Sequence, residues 1–152
     1  MKIKTNFKLP AKPSLLGFGC MRFPTVKDNE GNYKIDYPLT EKMIDYAISS
    51  GVNYIDTAYP YHNGESERVV GQIMKKYDRN SFYLATKLPM WKVDSKESVR
   101  TIFNEQLEKL QMEYFDFYLL HALSKERFNK VKEYDVLNEC LKLKEEGKIK
   151  YL

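Results

Sequence analysis

Tryptophan, histidine and cysteine are scarce in this chain of 152 residues: one, two and two respectively. Cys20 and Cys140 are far apart and in no metal-ligand spacing, so they read as reduced, partly buried thiols of a cytoplasmic protein rather than as a metal site. Two histidines without an H-x-H pair disfavour a metal-dependent hydrolase. No run of eighteen apolar residues occurs, so no spanning helix and no membrane partner are expected. The opening segment Met1–Pro10 lacks the apolar core of a signal peptide. There is no G-x-G-x-x-G and no G-x-x-x-x-G-K-[ST], which disfavours Rossmann and P-loop nucleotide sites. An Arg-rich stripe is missing too, and the net charge of +4 is modest. The lysines sit among glutamates, as in Lys142-Leu143-Lys144-Glu145-Glu146, and read as solvated helix faces rather than a nucleic-acid surface.

What is present is globular: 43% hydrophobic and 30% charged residues, without a linker or low-complexity segment. One domain over residues 1–152 follows. Residues 14–24 hold an apolar strand with two glycines near its end, and residues 25–33 read as a turn-rich polar loop. A regular rhythm then begins. Thr40 is the expected N-cap of a helix with Met43, Ile44, Ala47 and Ile48 inward, stopped by Gly51. Strands are expected at 53–57, 82–87 and 115–120, with a helix at 65–77 and another capped by Asp94 or Ser95. Glu97 is placed to complete a capping box with Asp94. After a mixed segment, 134–146 reads as one helix with Val136, Leu137, Cys140 and Leu141 inward, and Ile149 opens a fifth strand. Strands thus recur roughly every thirty residues with helices between them, the pattern of stacked βαβ units.

Three strands end on ionisable groups. Asp56 closes the second, with Tyr61 five residues on; Lys87 closes the third and His121 the fourth. Function in parallel α/β folds gathers at strand carboxyl ends. A nearby ammonium stabilises a phenolate, so Lys87 beside Tyr61 would equip the phenol to protonate a carbonyl oxygen. Asp56 would hold Lys87 charged and oriented, and His121 would orient the substrate. These groups suit carbonyl reduction or its reverse, with the hydride supplied by a cofactor. Taken singly, each residue has an ordinary structural reading; their joint placement carries the functional one. His62 is expected to face solvent in its polar turn, and Trp91 either walls an apolar substrate pocket or simply packs.

The wording around these residues resembles the aldo-keto reductase superfamily. The resemblance runs from about residue 14 to the end. It is carried by Asp56-Thr57-Ala58-Tyr59-Pro60-Tyr61 with Gly64, Glu67 and Val70-Gly71, by Ala85-Thr86-Lys87, by Leu119-Leu120-His121, and by Leu16-Gly17-Phe18-Gly19-Cys20-Met21. It implies a parallel (β/α)8 TIM barrel, here only its first half, reducing aldehydes or ketones with NADP(H) or NAD(H). It casts Tyr61 as proton donor, Lys87 as its tuning residue, Asp56 as the partner of that lysine and His121 as the carbonyl-orienting group. Gly19, Cys20 and Met21, with Asp56, would lie near the nicotinamide. The finer wording is similar to a bacterial subgroup whose longer members carry a C-terminal iron–sulfur segment, for which no residue here is suited. The family's main cofactor contacts come from later strands, beyond Leu152. The chain is therefore expected to be truncated and to show weak or no activity. It is also expected to self-associate through exposed half-barrel edges. The competing reading, from another class, is a non-catalytic regulatory or binding subunit or an inactive remnant.

Overall fold

The computed structural model describes residues 11–152, and the opening segment lies outside the described residues. A short strand β1 (Phe18–Gly19) leads through a 3-10 turn (Cys20–Arg22) into a hairpin, β2 (Thr25–Lys27) and β3 (Tyr33–Ile35). The expected polar loop is thus two antiparallel strands. Its turn is closed by Asp28, whose carboxylate accepts from the N–H groups of Glu30 and Asn32, with Gly31 at φ 84. Helix α1 (Tyr37–Ser49) follows, then β4 (Tyr54–Asp56), α2 (Ser66–Met74), β5 (Tyr83–Pro89), α3 (Lys96–Leu110), β6 (Phe115–His121), α4 (Lys125–Glu133), α5 (Val136–Glu145) and β7 (Ile149–Tyr151).

Several helix boundaries differ from the sequence expectation for local reasons. Asp36, not Thr40, caps α1; its carboxylate accepts from the Leu39 N–H, and Pro38 fits the first turn, where no N–H is needed. Thr40 is instead buried inside the helix. Ser95 caps α3 in a reciprocal box with Ser98, so neither Asp94 nor Glu97 is used. Helix α2 ends at Met74, and residues up to Tyr77 form turns. The segment between β6 and residue 134 is mostly helical, capped by Ser124. Asp135 at φ 53 separates it from α5, so the expected single helix begins two residues late. On α5, Val136, Cys140 and Leu143 are buried while Leu137 and Leu141 are exposed, as is Met43 on α1.

The five strands β1, β4, β5, β6 and β7 form one parallel sheet whose spatial order is its chain order. An open doubly wound sheet reverses its order part-way and takes helices on both faces. A monotonic order with right-handed crossovers keeps every helix on one face, which is the plan of a (β/α) barrel wall. The helix-facing side supplies the core: Ile55, Leu84 and Leu88 meet Ile73, Phe103 and Leu110, all at 0% exposure. Phe103, Phe115 and Tyr118 form an aromatic cluster at centroid distances of 5.1–5.8 Å. Such pairs add about 1 kcal/mol each beyond their buried area. Gly71 lets α2 meet α3 closely: a Cβ there would lie 2.5 Å from the Leu110 carbonyl oxygen. Among the described residues no helix is long and apolar enough to cross a membrane.

Candidate active site

The strand register assembles the site. Gly19 is level with Asp56, and Asp56 with Ala85. Lys87 is two residues beyond Ala85; it is level with Leu119, and His121 is two residues beyond that. Steps of two keep each side chain on the same face of the sheet, opposite the helices. Each functional residue therefore climbs one pleat above its predecessor, following the stagger that a barrel requires.

Lys87 is the hub. An ammonium has three donors, and all three are directed: to Asp56 Oδ1 at 2.7 Å, to the Thr57 carbonyl at 2.7 Å and to Tyr61 Oη at 3.2 Å. Its side chain is 14% exposed and that of Asp56 31%. The pair is therefore partly desolvated, where a charge contact is stronger than at an open surface. The His121 ring stands edge-on to Tyr61 at 5.9 Å. Burial and the charge of Lys87 lower the His121 pKa below its usual value, with Asp56 opposing, so the imidazole is neutral at pH 7. Its Nδ1 is buried without a hydrogen-bond partner. Trp91 is half-exposed and packs against the same imidazole at 5.2 Å, which places it at the mouth of the site.

Tyr61 is presented by an unusual turn. His62, Asn63 and Gly64 have φ values of 52, 56 and 93. Each left-handed residue other than glycine costs on the order of 1 kcal/mol, so neighbouring contacts must hold the turn. His62 does not face solvent as expected. Its Nε2 accepts from the Phe23 N–H at 3.0 Å and its ring stacks on Phe23 at 5.5 Å. Desolvation lowers its pKa. Below the turn, Thr57 Oγ1 and Ser66 Oγ are 3.0 Å apart, and Ser66 Oγ donates to the Cys20 carbonyl. The tip of β1 and the Tyr61 turn are thereby tied together.

The predicted nicotinamide-side residues lie at that tip. Gly19 has open space where a Cβ would be, and Met21 is 59% exposed. The Cys20 thiol is fully buried, and burial drives its pKa well above the ordinary thiol range. Any contribution of Cys20 to a ligand comes from its backbone. This open rim beside Asp56 has room for the reactive end of a nicotinamide. The described residues offer no glycine-rich loop for its phosphates.

Sequence reasoning missed a buried layer behind the site. Thr86 Oγ1 donates to Glu67 Oε1 at 2.7 Å, and Gln106 Nε2 donates to the same oxygen at 2.7 Å and to the Lys87 carbonyl at 3.1 Å. Tyr118 Oη donates to Gln106 Oε1 at 2.7 Å. Burial raises the Glu67 pKa, and its Oε2 has no partner. The available signal was Gln106 itself, a polar residue inside the apolar stripe Val99, Ile102, Phe103 and Leu110.

A one-faced (β/α) wall whose strand ends converge on a lysine bound to an aspartate and a tyrosine defines part of a (β/α)8 barrel protein with a polar site at its carboxyl rim. The family model described as "Aldo/keto reductase family" matches residues 15–152, and the chain belongs to that family. It is 33% identical over 151 residues to a probable aldo-keto reductase 1 of Glycine max, covering 91% of this chain and 40% of the plant protein. The holo form of an aldo-keto reductase from Bacillus halodurans superposes with a TM-score of 0.79 at 28% identity, covering 99% of this chain and 49% of that one. An aldo-keto reductase from Klebsiella pneumoniae in complex with NADPH superposes with a TM-score of 0.74 at 25% identity, covering 93% and 45%. The chain thus spans about half the length of these relatives.

Proposed function

We propose that this chain supplies the proton-transfer half of an NAD(P)H-dependent reductase of aldehydes and ketones, with Tyr61 as proton donor. The observation that carries the reading is the three-way contact of the Lys87 ammonium with Asp56, the Thr57 carbonyl and Tyr61 Oη. A bound nicotinamide would supply the hydride to the carbonyl carbon. Gly19, Met21 and the backbone of Cys20 would border its reactive ring. The NADPH in the Klebsiella relative supports this cofactor class. Tyr61 gives its proton to the carbonyl oxygen as negative charge develops there. The ammonium stabilises the phenolate left behind, and Asp56 keeps that ammonium in place. Neutral His121 orients the carbonyl by hydrogen bonding. Two buried unpaired thiols support a reducing, cytoplasmic setting.

In a form carrying all eight βα units, Tyr61→Phe is expected to lower turnover at least a thousandfold while NADPH still binds. Unchanged turnover refutes the assignment. The 152-residue chain alone is expected to show little activity, and robust NADPH consumption with 4-nitrobenzaldehyde overturns that expectation. The flanks of the sheet also support self-association. Leu16, Met43 and Tyr46 are exposed beside β1, and Leu137 and Leu141 on α5, surfaces that a second copy would cover. Sedimentation of a monomer at all concentrations counts against this.

A further inference from the structure

We propose that Arg127 makes this site selective for carbonyl compounds that carry an ionised carboxylate, which it receives at the mouth of the pocket beside Trp91. The proposal deepens, and rests on, the reductase reading of the same rim.

The residues form a row. The Tyr61 and His121 rings lie 5.9 Å apart, the His121 and Trp91 rings 5.2 Å apart, and the Arg127 guanidinium sits 5.6 Å from the Trp91 ring centre. The proton donor and a permanent cation are thus connected through successive contacts of the His121 and Trp91 rings. Arg127 is held rather than free: one nitrogen donates to the Ala122 carbonyl at 2.7 Å, and its backbone N–H caps onto Ser124. It is only partly exposed, and no carboxylate among the described residues forms an ion pair with it. A guanidinium has five donors and binds carboxylates through two at once. One donor on the carbonyl of Ala122 leaves that fork available, and the guanidinium lies over the Trp91 ring within cation–π range. The field at the site has the same sign. His121 feels both Lys87 and Arg127 as cations, against Asp56 alone, and Asp56 is already engaged by Lys87. An anionic group arriving at this rim is therefore attracted, whereas a neutral isostere gains only the aromatic contact.

Trp91 is the only tryptophan in the sequence, so its indole N–H gives a single NMR signal at the site. The test titrates the isotope-labelled chain with 4-formylbenzoate and, in parallel, with its uncharged methyl ester. The expected result is a saturable shift of the indole signal, with the acid binding at least tenfold more tightly than the ester. Arg127→Gln should abolish that preference while the remaining spectrum stays folded, and Arg127→Lys should restore part of it. Higher salt should weaken the acid and not the ester. Equal binding of acid and ester, a preference that survives Arg127→Gln, or no shift with either compound overturns the proposal. Binding is read without turnover. Carboxylate selectivity in the chain, with no carbonyl reduction by a form carrying all eight βα units, counts against the reductase reading alone, and turnover by that form without selectivity counts against Arg127 alone.

Discussion

Lys87 Nζ lies 3.2 Å from Tyr61 Oη while Asp56 and the Thr57 carbonyl accept from its other two donors at 2.7 Å each. The contact is a property of the strand register: Asp56 and Lys87 share a face of the sheet one pleat apart. A compact ammonium meets three acceptors arranged in this way, and a planar guanidinium does not. Lys87→Arg therefore keeps the charge but is expected to lose at least a hundredfold in turnover in a whole-barrel form. Wild-type turnover in that variant would show that charge alone suffices.

Glu67 gives a stability prediction with a definite sign. Burial raises its pKa in the folded state above the ordinary 4.5, so the folded protein holds the proton more tightly than the unfolded chain. Its stabilising contribution is complete below the unfolded value and is lost as pH rises through the folded one. Glu67→Gln keeps the acceptor for Thr86 and Gln106 and cannot ionise. Thermal melting between pH 4 and pH 8 should show the variant gaining on the wild type as pH rises. A constant difference would place the pH dependence elsewhere.

His62 has the opposite sign. Desolvation lowers its folded pKa below 6.5, and its Nε2 must be unprotonated to accept from Phe23. Its contribution is present above the unfolded pKa and is lost as pH falls through the folded value. Denaturant midpoints should decline on acidification from pH 7 to pH 5, and His62→Gln should flatten that decline while keeping an acceptor. An unchanged slope contradicts the assignment.

Two glycines of the family motifs should behave differently. At Gly71 a Cβ would collide with the backbone of Leu110 at 2.5 Å, whereas at Gly19 it meets nothing within 4 Å. Gly71→Ala is expected to cost about 2 kcal/mol through overpacking, and Gly19→Ala less than about 0.5 kcal/mol. Equal effects in chemical unfolding would mean that α2 and α3 are not packed this closely.

The βα rhythm and the four rim residues were legible in the sequence because strand ends and apolar periodicity are local signals. Asp56 and His121 close their strands as expected, whereas β5 runs two residues past Lys87 to Pro89; the register carries all three to one face. What escaped was set by contacts across the chain. The left-handed turn at His62 depends on Phe23, 39 residues away in sequence. The Glu67–Gln106 layer joins helices 39 residues apart in sequence, and neither residue announces its partner. The hairpin at 25–35 carries no strand signal in sequence because all residues of its strands but Ile35 are exposed and alternation is lacking. Leu137 and Leu141 fit an inward spacing, yet α5 buries the face of Val136, Glu139, Cys140 and Leu143.

The central claim is that Lys87 acts on the reaction through Tyr61. The most direct test is a double-mutant cycle of Tyr61→Phe and Lys87→Met, measuring carbonyl turnover at saturating NADPH in a form with all eight βα units. The account predicts that Lys87→Met costs at least a hundredfold in the wild-type background and almost nothing once Tyr61 is Phe, because the lysine then has no phenolate to stabilise. Losses that simply multiply would contradict it.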